Sequence, residues 1–137
     1  MERSWMPDKK QLTRLLLIFC AVFLVGIYVY QRREKDTIQE NLGVTTCKIT
    51  NASAGYRGGI QMKYSFIYNG KEYTGGRKYF ISNAYADSFL GYSFPVAFDK
   101  NNPSQNTVLL LPADFHEFNL DFPDSLEWVV ILDKKSL

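Results

Sequence analysis

Apolar side chains follow two regimes along this chain. Residues 15–30 (LLLIFCAVFLVGIYVY) are an unbroken apolar run without a charge or a proline, whereas from residue 44 onward apolar and polar positions alternate in short stretches. The first regime predicts a helix that is apolar all round, which marks a membrane span and not a soluble core helix with one wet face. At ~1.5 Å per residue the run covers ~24 Å of a ~30 Å hydrocarbon layer. Leu12 and Thr13 lengthen it, and Arg14 and Arg32 carry stems long enough to snorkel to the headgroups. Tyr28 and Tyr30 sit where an aromatic belt is expected, with Trp5 serving the opposite side. Arg32, Arg33 and Lys35 follow as juxtamembrane contacts for lipid phosphates. The expected membrane-anchor set is therefore Arg14, Tyr28, Tyr30, Arg32 and Arg33, preceded by a tail of residues 1–14.

A cleaved secretory signal shares the positive start, but Ile27-Tyr28-Val29-Tyr30-Gln31-Arg32 offers no small residues for cleavage. Cys20 follows bulky Phe19 in mid-run, unlike a lipoprotein cysteine. A retained, single-pass signal-anchor is expected. Lys and Arg flank the run nearly equally, with Arg3, Lys9, Lys10 and Arg14 before it and Arg32, Arg33, Lys35 and Lys48 after it. The common arrangement of a short tail before one span puts the C-terminal domain on the exported side, periplasmic or extracellular. Residues 31–43 read as a polar stalk that continues the helix for two or three turns, with Gly43 closing it in the left-handed conformation.

The second regime predicts strands. Residues 44–50 (VTTCKIT) are rich in β-branched side chains and read as a first strand, followed by a glycine-rich loop over 51–59 that contains a formal glycosylation triplet, Asn51-Ala52-Ser53. Ile60, Met62, Tyr64, Phe66 and Tyr68 then alternate with Gln61, Lys63 and Ser65, as in a half-buried strand. Asn69-Gly70 is the preferred pair for a two-residue type I′ turn. That turn sets Tyr68 opposite Lys71, Phe66 opposite Tyr73 and Tyr64 opposite Gly75, with Lys63, Ser65 and Ile67 facing Gly76, Thr74 and Glu72. Continued further, the register puts Arg77 on the apolar face, so a bulge is expected there. Residues 82–90 lack alternation and suit a short helix capped by Ser82 or Asn83 and ended by Gly91. Residues 94–98 and 107–111 read as two more strands, the former with Pro95 at a start or an edge, joined by a turn over 99–106. The expected fold class is α+β, mainly β: one N-terminal transmembrane helix, then a small, largely antiparallel five-stranded β domain over 44–133 with one or two short helices, and a tail of 134–137.

Charge changes this picture by its distribution. The total of +2 over 137 residues hides a net +3 in residues 1–36, −3 in 37–133, and +2 from Lys134 and Lys135. An acidic small domain argues against nucleic acid as a partner. Cysteine usage adds nothing, since Cys20 lies in the apolar run and Cys47 beyond it.

At Gly91-Tyr92-Ser93-Phe94-Pro95-Val96-Ala97-Phe98-Asp99-Lys100-Asn101-Asn102-Pro103 the chain resembles a family of small membrane-attached bacterial β domains catalogued as domain of unknown function 3592. Tyr64, Phe66, Asn69, Gly70, Tyr73, Gly91, Val96, Asp99, Asn102 and Pro103 match its outline over roughly 44–111, with Phe98 where the family commonly has Tyr; residues 112–137 fall outside it. The resemblance implies a span followed by a hairpin-built β domain, and no catalytic residue.

Chemistry-bearing patterns are sparse. A calcium loop through Asp99, Asn101 and Asn102 is excluded by Ser104 and Leu110 at the positions that need Gly and Glu. His116, the only histidine, with Asp114, Glu117 and Asp121 matches no metal-ligand spacing. Cys47 lies inside an expected strand, where it reads as a small buried hydrophobe and not as half of a thiol dyad with His116. Gly55-Tyr56-Arg57-Gly58-Gly59 lacks the ending of a phosphate-binding loop. Neither an enzyme nor a cofactor is expected. Residues 113–133 (ADFHEFNLDFPDSLEWVVILD) hold six acids and no Lys or Arg, interleaved with aromatics. Two accounts fit: core closure, or a docking surface for a basic protein built from Asp114, Glu117, Phe118, Asp121, Phe122, Asp124, Glu127 and Trp128. The expected function is a non-enzymatic, single-pass, membrane-anchored binding or accessory protein, for instance an immunity protein against a toxin. The alternative is a structural subunit of a membrane complex, contacted through its helix.

Overall fold

A computed structural model describes residues 8–137; Trp5 and the first part of the expected tail lie outside the described residues. The apolar run sits in a single helix, α1 (Lys9–Glu40), of 32 residues. Its large apolar side chains from Leu12 to Tyr30 are exposed, and it is long and apolar enough to cross a membrane. The chain divides into two compact units at residue 36, and residues 37–137 form the second.

Five strands make one antiparallel sheet: β1 (Leu42–Ala54), β2 (Ile60–Tyr68), β3 (Lys71–Tyr79), β4 (Ser93–Asp99) and β5 (Asn106–Val108), in the spatial order β3-β2-β1-β4-β5. Short helices follow or interrupt them: a 3-10 helix over Asn83–Phe89, α2 (Pro112–Glu117), a 3-10 turn over Asp124–Leu126, and α3 (Glu127–Lys135). The α+β fold class therefore holds, with the expected five antiparallel strands.

The hairpin follows its sequence pattern pair for pair. Asn69 and Gly70 have φ of 50° and 73°, as a type I′ turn requires, and the register pairs Tyr68 with Lys71, Phe66 with Tyr73 and Tyr64 with Gly75. The expected bulge at Arg77 is absent: pairing runs on through Met62–Arg77 to Ile60–Tyr79. Arg77 tolerates the inward face because its guanidinium finds an acid and two oxygens there, so the ladder need not break to turn it out.

The first strand is longer than its β-branched stretch. Residues 42–48 pair with β4 and residues 48–54 with β2, so β1 is the shared spine of the sheet. Where it changes partner, Thr50 is an extra residue between Ile49 and Asn51, and its hydroxyl donates to the Lys63 carbonyl. Such a bulge deepens twist and curls the sheet. Contrary to expectation, Gly43 does not end the helix; it lies within β1 opposite Phe98, and a Cβ there would meet the Phe98 ring at 2.5 Å. Helix α1 stops at Glu40, and its last turn belongs to the β domain, where Ile38 is buried and the Lys100 N–H reaches the Asn41 carbonyl. The stalk is thus shorter than 31–43.

Pro95 explains why the last strand ends at Val108 and not at 111. In an antiparallel pair both backbone groups of a residue face the same neighbour. The Pro95 carbonyl accepts the Leu109 N–H at 2.9 Å, but proline has no N–H to return the bond. Pairing with β1 on the other side is untouched.

Curling brings the two edge strands together. No ladder joins β3 to β5; side chains bridge them. Asn106 Nδ2 donates to the Thr74 carbonyl, Tyr64 Oη donates to Asn106 Oδ1 at 2.8 Å, and Arg77 Nη1 donates to Thr107 Oγ1 at 2.8 Å and the Val108 carbonyl at 3.1 Å. The result is a partly open five-stranded barrel whose interior holds Ile60, Met62, Tyr64, Phe94, Val96 and Phe98. Phe89 and Trp128 close one side, with Trp128 5.4 Å from Phe89 and 6.1 Å from Phe94. The expected C-terminal tail is also part of the domain, since Ser136 Oγ accepts the Ser82 N–H at 2.8 Å and donates to the Leu132 carbonyl.

Candidate functional site

The acidic C-terminal segment divides into a buried half and an exposed half. Helix α2 begins at Pro112, whose fixed φ suits the first turn, and this places Asp114 one turn in, facing the barrel seam. Asp114 Oδ1 accepts from Arg77 Nη2 at 2.6 Å. Its Oδ2 accepts the N–H groups of Leu110 and Leu111, both at 3.0 Å, and lies 2.8 Å from the Tyr79 hydroxyl. That hydroxyl has one proton and two acceptors in reach, the other being the Val108 carbonyl at 3.0 Å. The carboxylate is the stronger acceptor. Burial first, and the Asp114 charge next, push the Tyr79 phenol well above its ordinary pKa, so it stays a donor. A carboxylate with four donors is fully engaged, and Asp114 is not a docking residue. Neither is Phe118, which is buried in the core.

The other proposed docking residues are placed differently. Glu117 is half-buried, and its carbonyl accepts from Gln39. Phe122 is half-buried and meets Phe115 edge-on with ring centres 5.3 Å apart. Asp121, Asp124 and Glu127 are exposed and form no ion pair among the described residues. Trp128 is half-buried and lies 5.4 Å from Tyr92, whose own ring is largely exposed. Ile131, one turn along α3 from Glu127, and Leu90 are exposed as well. Exposed acids therefore lead into α3 at Asp121, Asp124 and Glu127, Trp128 packs on Tyr92, Ile131 follows one turn on, and the exposed Lys134 and Lys135 close the helix. Sequence reading named the acids and Trp128 but missed Leu90, Tyr92 and Ile131, because the first two come from the loop before β4 and only folding sets them near α3.

On α1 the residues expected to serve as anchors, Arg14, Tyr28, Tyr30, Arg32 and Arg33, are all exposed, and Arg32 Nη1 donates to the Tyr28 hydroxyl one turn earlier. Val22, Phe23, Gly26, Ile27 and Tyr30 line a shallow apolar hollow on this helix, centred on the missing side chain of Gly26.

Other chemistry-bearing residues have structural roles. Asp99 is buried, and its Oδ1 accepts the Asn101 N–H at 2.8 Å, which forms the turn instead of aiming oxygens at a cation. No group of three or more His, Cys, Asp or Glu able to hold a metal occurs among the described residues. His116 is exposed. Cys47 is buried on the inner face of β1, and burial pushes its thiol from 9.0 up to about 11. The thiolate is the reactive form, so Cys47 is inert at neutral pH. The shift has a sign in stability. Because the folded state holds the proton more tightly, the contribution is complete below pH 9.0, the ordinary value, and is lost as pH rises toward about 11. We expect the denaturant midpoint to fall between pH 8.5 and 11, by a free energy of roughly 2–3 kcal/mol from this group. The fall should be smaller in Cys47→Ala, and a thiol reagent at neutral pH should modify Cys47 only after unfolding.

Comparison with known proteins found no matching family, no matching curated protein and no matching solved structure.

Proposed function

We propose that this chain is a non-enzymatic, single-pass, membrane-anchored binding protein whose β domain docks a basic protein partner on the outer side of α3. The observation that carries this reading is the exposed trio Asp121, Asp124 and Glu127, without ion pairs among the described residues, leading into Trp128, whose ring packs on the exposed Tyr92. Unpaired acids steer a cationic partner and speed its encounter, while half-buried aromatics supply contact area at little entropic cost. The length of α1 and the uncharged apolar run of residues 15–30 within it support anchoring. The lack of small residues at the end of the apolar run supports a retained anchor, and this reading puts the domain on the exported side. Matches to the outline of domain of unknown function 3592, at Tyr64, Phe66, Asn69, Gly70, Asp99 and Pro103, favour the same class of membrane-attached β domain. A partly open β barrel hosts many unrelated functions, so the reading rests on this surface and not on the architecture. Neutralising a basic toxin is one activity such a surface suits.

The test is recovery of a partner from native membranes by the full-length chain. A stoichiometric basic protein should be recovered and should be lost on Asp121→Lys/Asp124→Lys/Glu127→Lys, with the circular-dichroism spectrum unchanged. Equal recovery after charge reversal refutes the docking surface. A structural subunit, contacted through α1, is the second reading, favoured by the apolar hollow at Gly26. Scrambling residues 15–29 at constant hydrophobicity separates the two, since a plain anchor survives it and a helix-contacted subunit does not.

A further inference from the structure

We infer that the outer face of β1, β2 and β3 rests on the anionic headgroups of a lipid bilayer; this builds on the anchored reading above. The residues that point away from the barrel interior on these strands include Lys48, Lys63 and Lys78, and the pairing places them in a row. Lys48 is opposite Ser65, Lys63 opposite Gly76, and Lys78 opposite Gln61. Each lysine is thus one strand over and one pair along from the last. Diagonal neighbours of this kind stand about 7–8 Å apart, which spreads like charges without setting any two directly opposite. Glu72 is the one acid on the same faces of these three strands.

The row ends in a cluster of exposed aromatics and cations. Tyr56 and Phe80 are 80% and 78% exposed, among the most exposed large apolar side chains of the domain. Lys78 Nζ lies 5.9 Å from the Tyr56 ring centre and 5.3 Å from that of Phe80, and it donates to the Tyr56 carbonyl. Arg57 lies over the other part of the cluster, 5.4 Å from the Tyr56 ring centre. It is held at φ 64° and followed by Gly58 at φ 84°, a backbone that presents Tyr56 and Arg57 outward at the loop tip. Val44 and Ile67 add exposed aliphatic side chains to the face. Beside Lys63, Gly76 borders a hollow of ≈ 420 Å³ that Thr50, Gln61 and Thr74 also line.

Cations mixed with exposed aromatic and aliphatic side chains suit the bilayer interface, where the rings sit at headgroup depth and the ammonium groups meet phosphate. A soluble polyanion needs no exposed Ile67 or Val44. The opposite polarity of the α3 side fits the same arrangement. Repulsion from an anionic surface would turn Asp121, Asp124 and Glu127 toward the aqueous side, where a protein partner arrives.

The test uses full-length protein reconstituted into vesicles of phosphatidylcholine alone or of an equimolar mixture with phosphatidylglycerol. Amine acetylation at each lysine is followed by mass spectrometry. In the anionic vesicles Lys48 and Lys63 should react about fivefold more slowly than in neutral ones, Lys100 and Lys134 should be unchanged, and high salt should abolish the difference. Tyr56→Ser/Phe80→Ser, which alters only exposed rings, should reduce the protection. Equal rates in both vesicles overturn the inference, as does protection by added polyphosphate without protection by anionic lipid. Carbonate treatment reads the premise separately. Release of the protein removes the anchored reading and this inference with it, whereas retained protein with equal acetylation rates removes the inference alone.

Discussion

Asp114→Ala is expected to destabilise the domain by about 3 kcal/mol, because it strands two backbone N–H groups and a half-buried guanidinium together. Three donors would lose their acceptor at once: the Arg77 guanidinium and the N–H groups of Leu110 and Leu111. The Tyr79 hydroxyl keeps the Val108 carbonyl as a fallback, so its loss is the mildest. Small domains are stable by only about 5–15 kcal/mol, so the variant should unfold at much lower denaturant or lie unfolded at physiological temperature. Urea titration followed by circular dichroism, on full-length protein in detergent, measures it. Asp114→Asn is the informative companion. It preserves shape, but its amide N–H₂ faces donors and cannot serve all four, so it should recover only part of the loss. If Asp114→Ala cost no more than a typical surface substitution, the side-chain closure of the barrel would be wrong.

The second large effect is expected at Gly75. A Cβ on this residue would stand 2.2 Å from Asn106 Oδ1 and 2.5 Å from Tyr64 Cζ and Oη, so the hydrogen-bonded pair itself lies where a side chain would begin. Gly75→Val must push the ring aside, and with it the Tyr64–Asn106 hydrogen bond across the seam. Overpacking alone costs about 1–3 kcal/mol, and the lost seam contact adds about 1 kcal/mol. Mutant cycles apportion the cause: adding Gly75→Val should cost less in a Tyr64→Ala background than alone, and least in a Tyr64→Ala/Asn106→Ala background. Additive costs would place the strain elsewhere.

These two sites also mark how far the sequence could be read. The Tyr64–Gly75 pair was legible because an Asn-Gly turn and a strict alternation set the register locally, within twenty residues of chain. Arg77 was legible only as a problem. Its position on the inner face followed from the same register, but its partner Asp114 lies 37 residues further on, in a segment whose composition looks like surface. No local pattern separates an acid that clasps a buried arginine from one that faces water, which is why Asp114 and Phe118 stood among the docking residues while Asp121, Asp124 and Glu127 keep their place on the surface. Gly43 is a similar case. A glycine after a polar helical stretch suggests a helix end, and only the cross-strand neighbour Phe98 reveals that it makes room for a ring. The lysine row was invisible for another reason. Lys48, Lys63 and Lys78 are evenly spaced in sequence, but their alignment exists only once three strands are paired.

Closing a barrel by particular side chains, and not by a backbone ladder, makes closure a property of a few residues. A ladder survives most substitutions because every amino acid except proline carries the same N–H and C=O. Here shutting depends on Arg77, Asn106, Asp114 and the two tyrosines Tyr64 and Tyr79. Losing one of them would uncover two unpaired strand rims on the same molecule, each ready to template pairing with another chain. Sequence drift at these positions would therefore show itself first as self-association, ahead of any change at the outer surfaces of the domain.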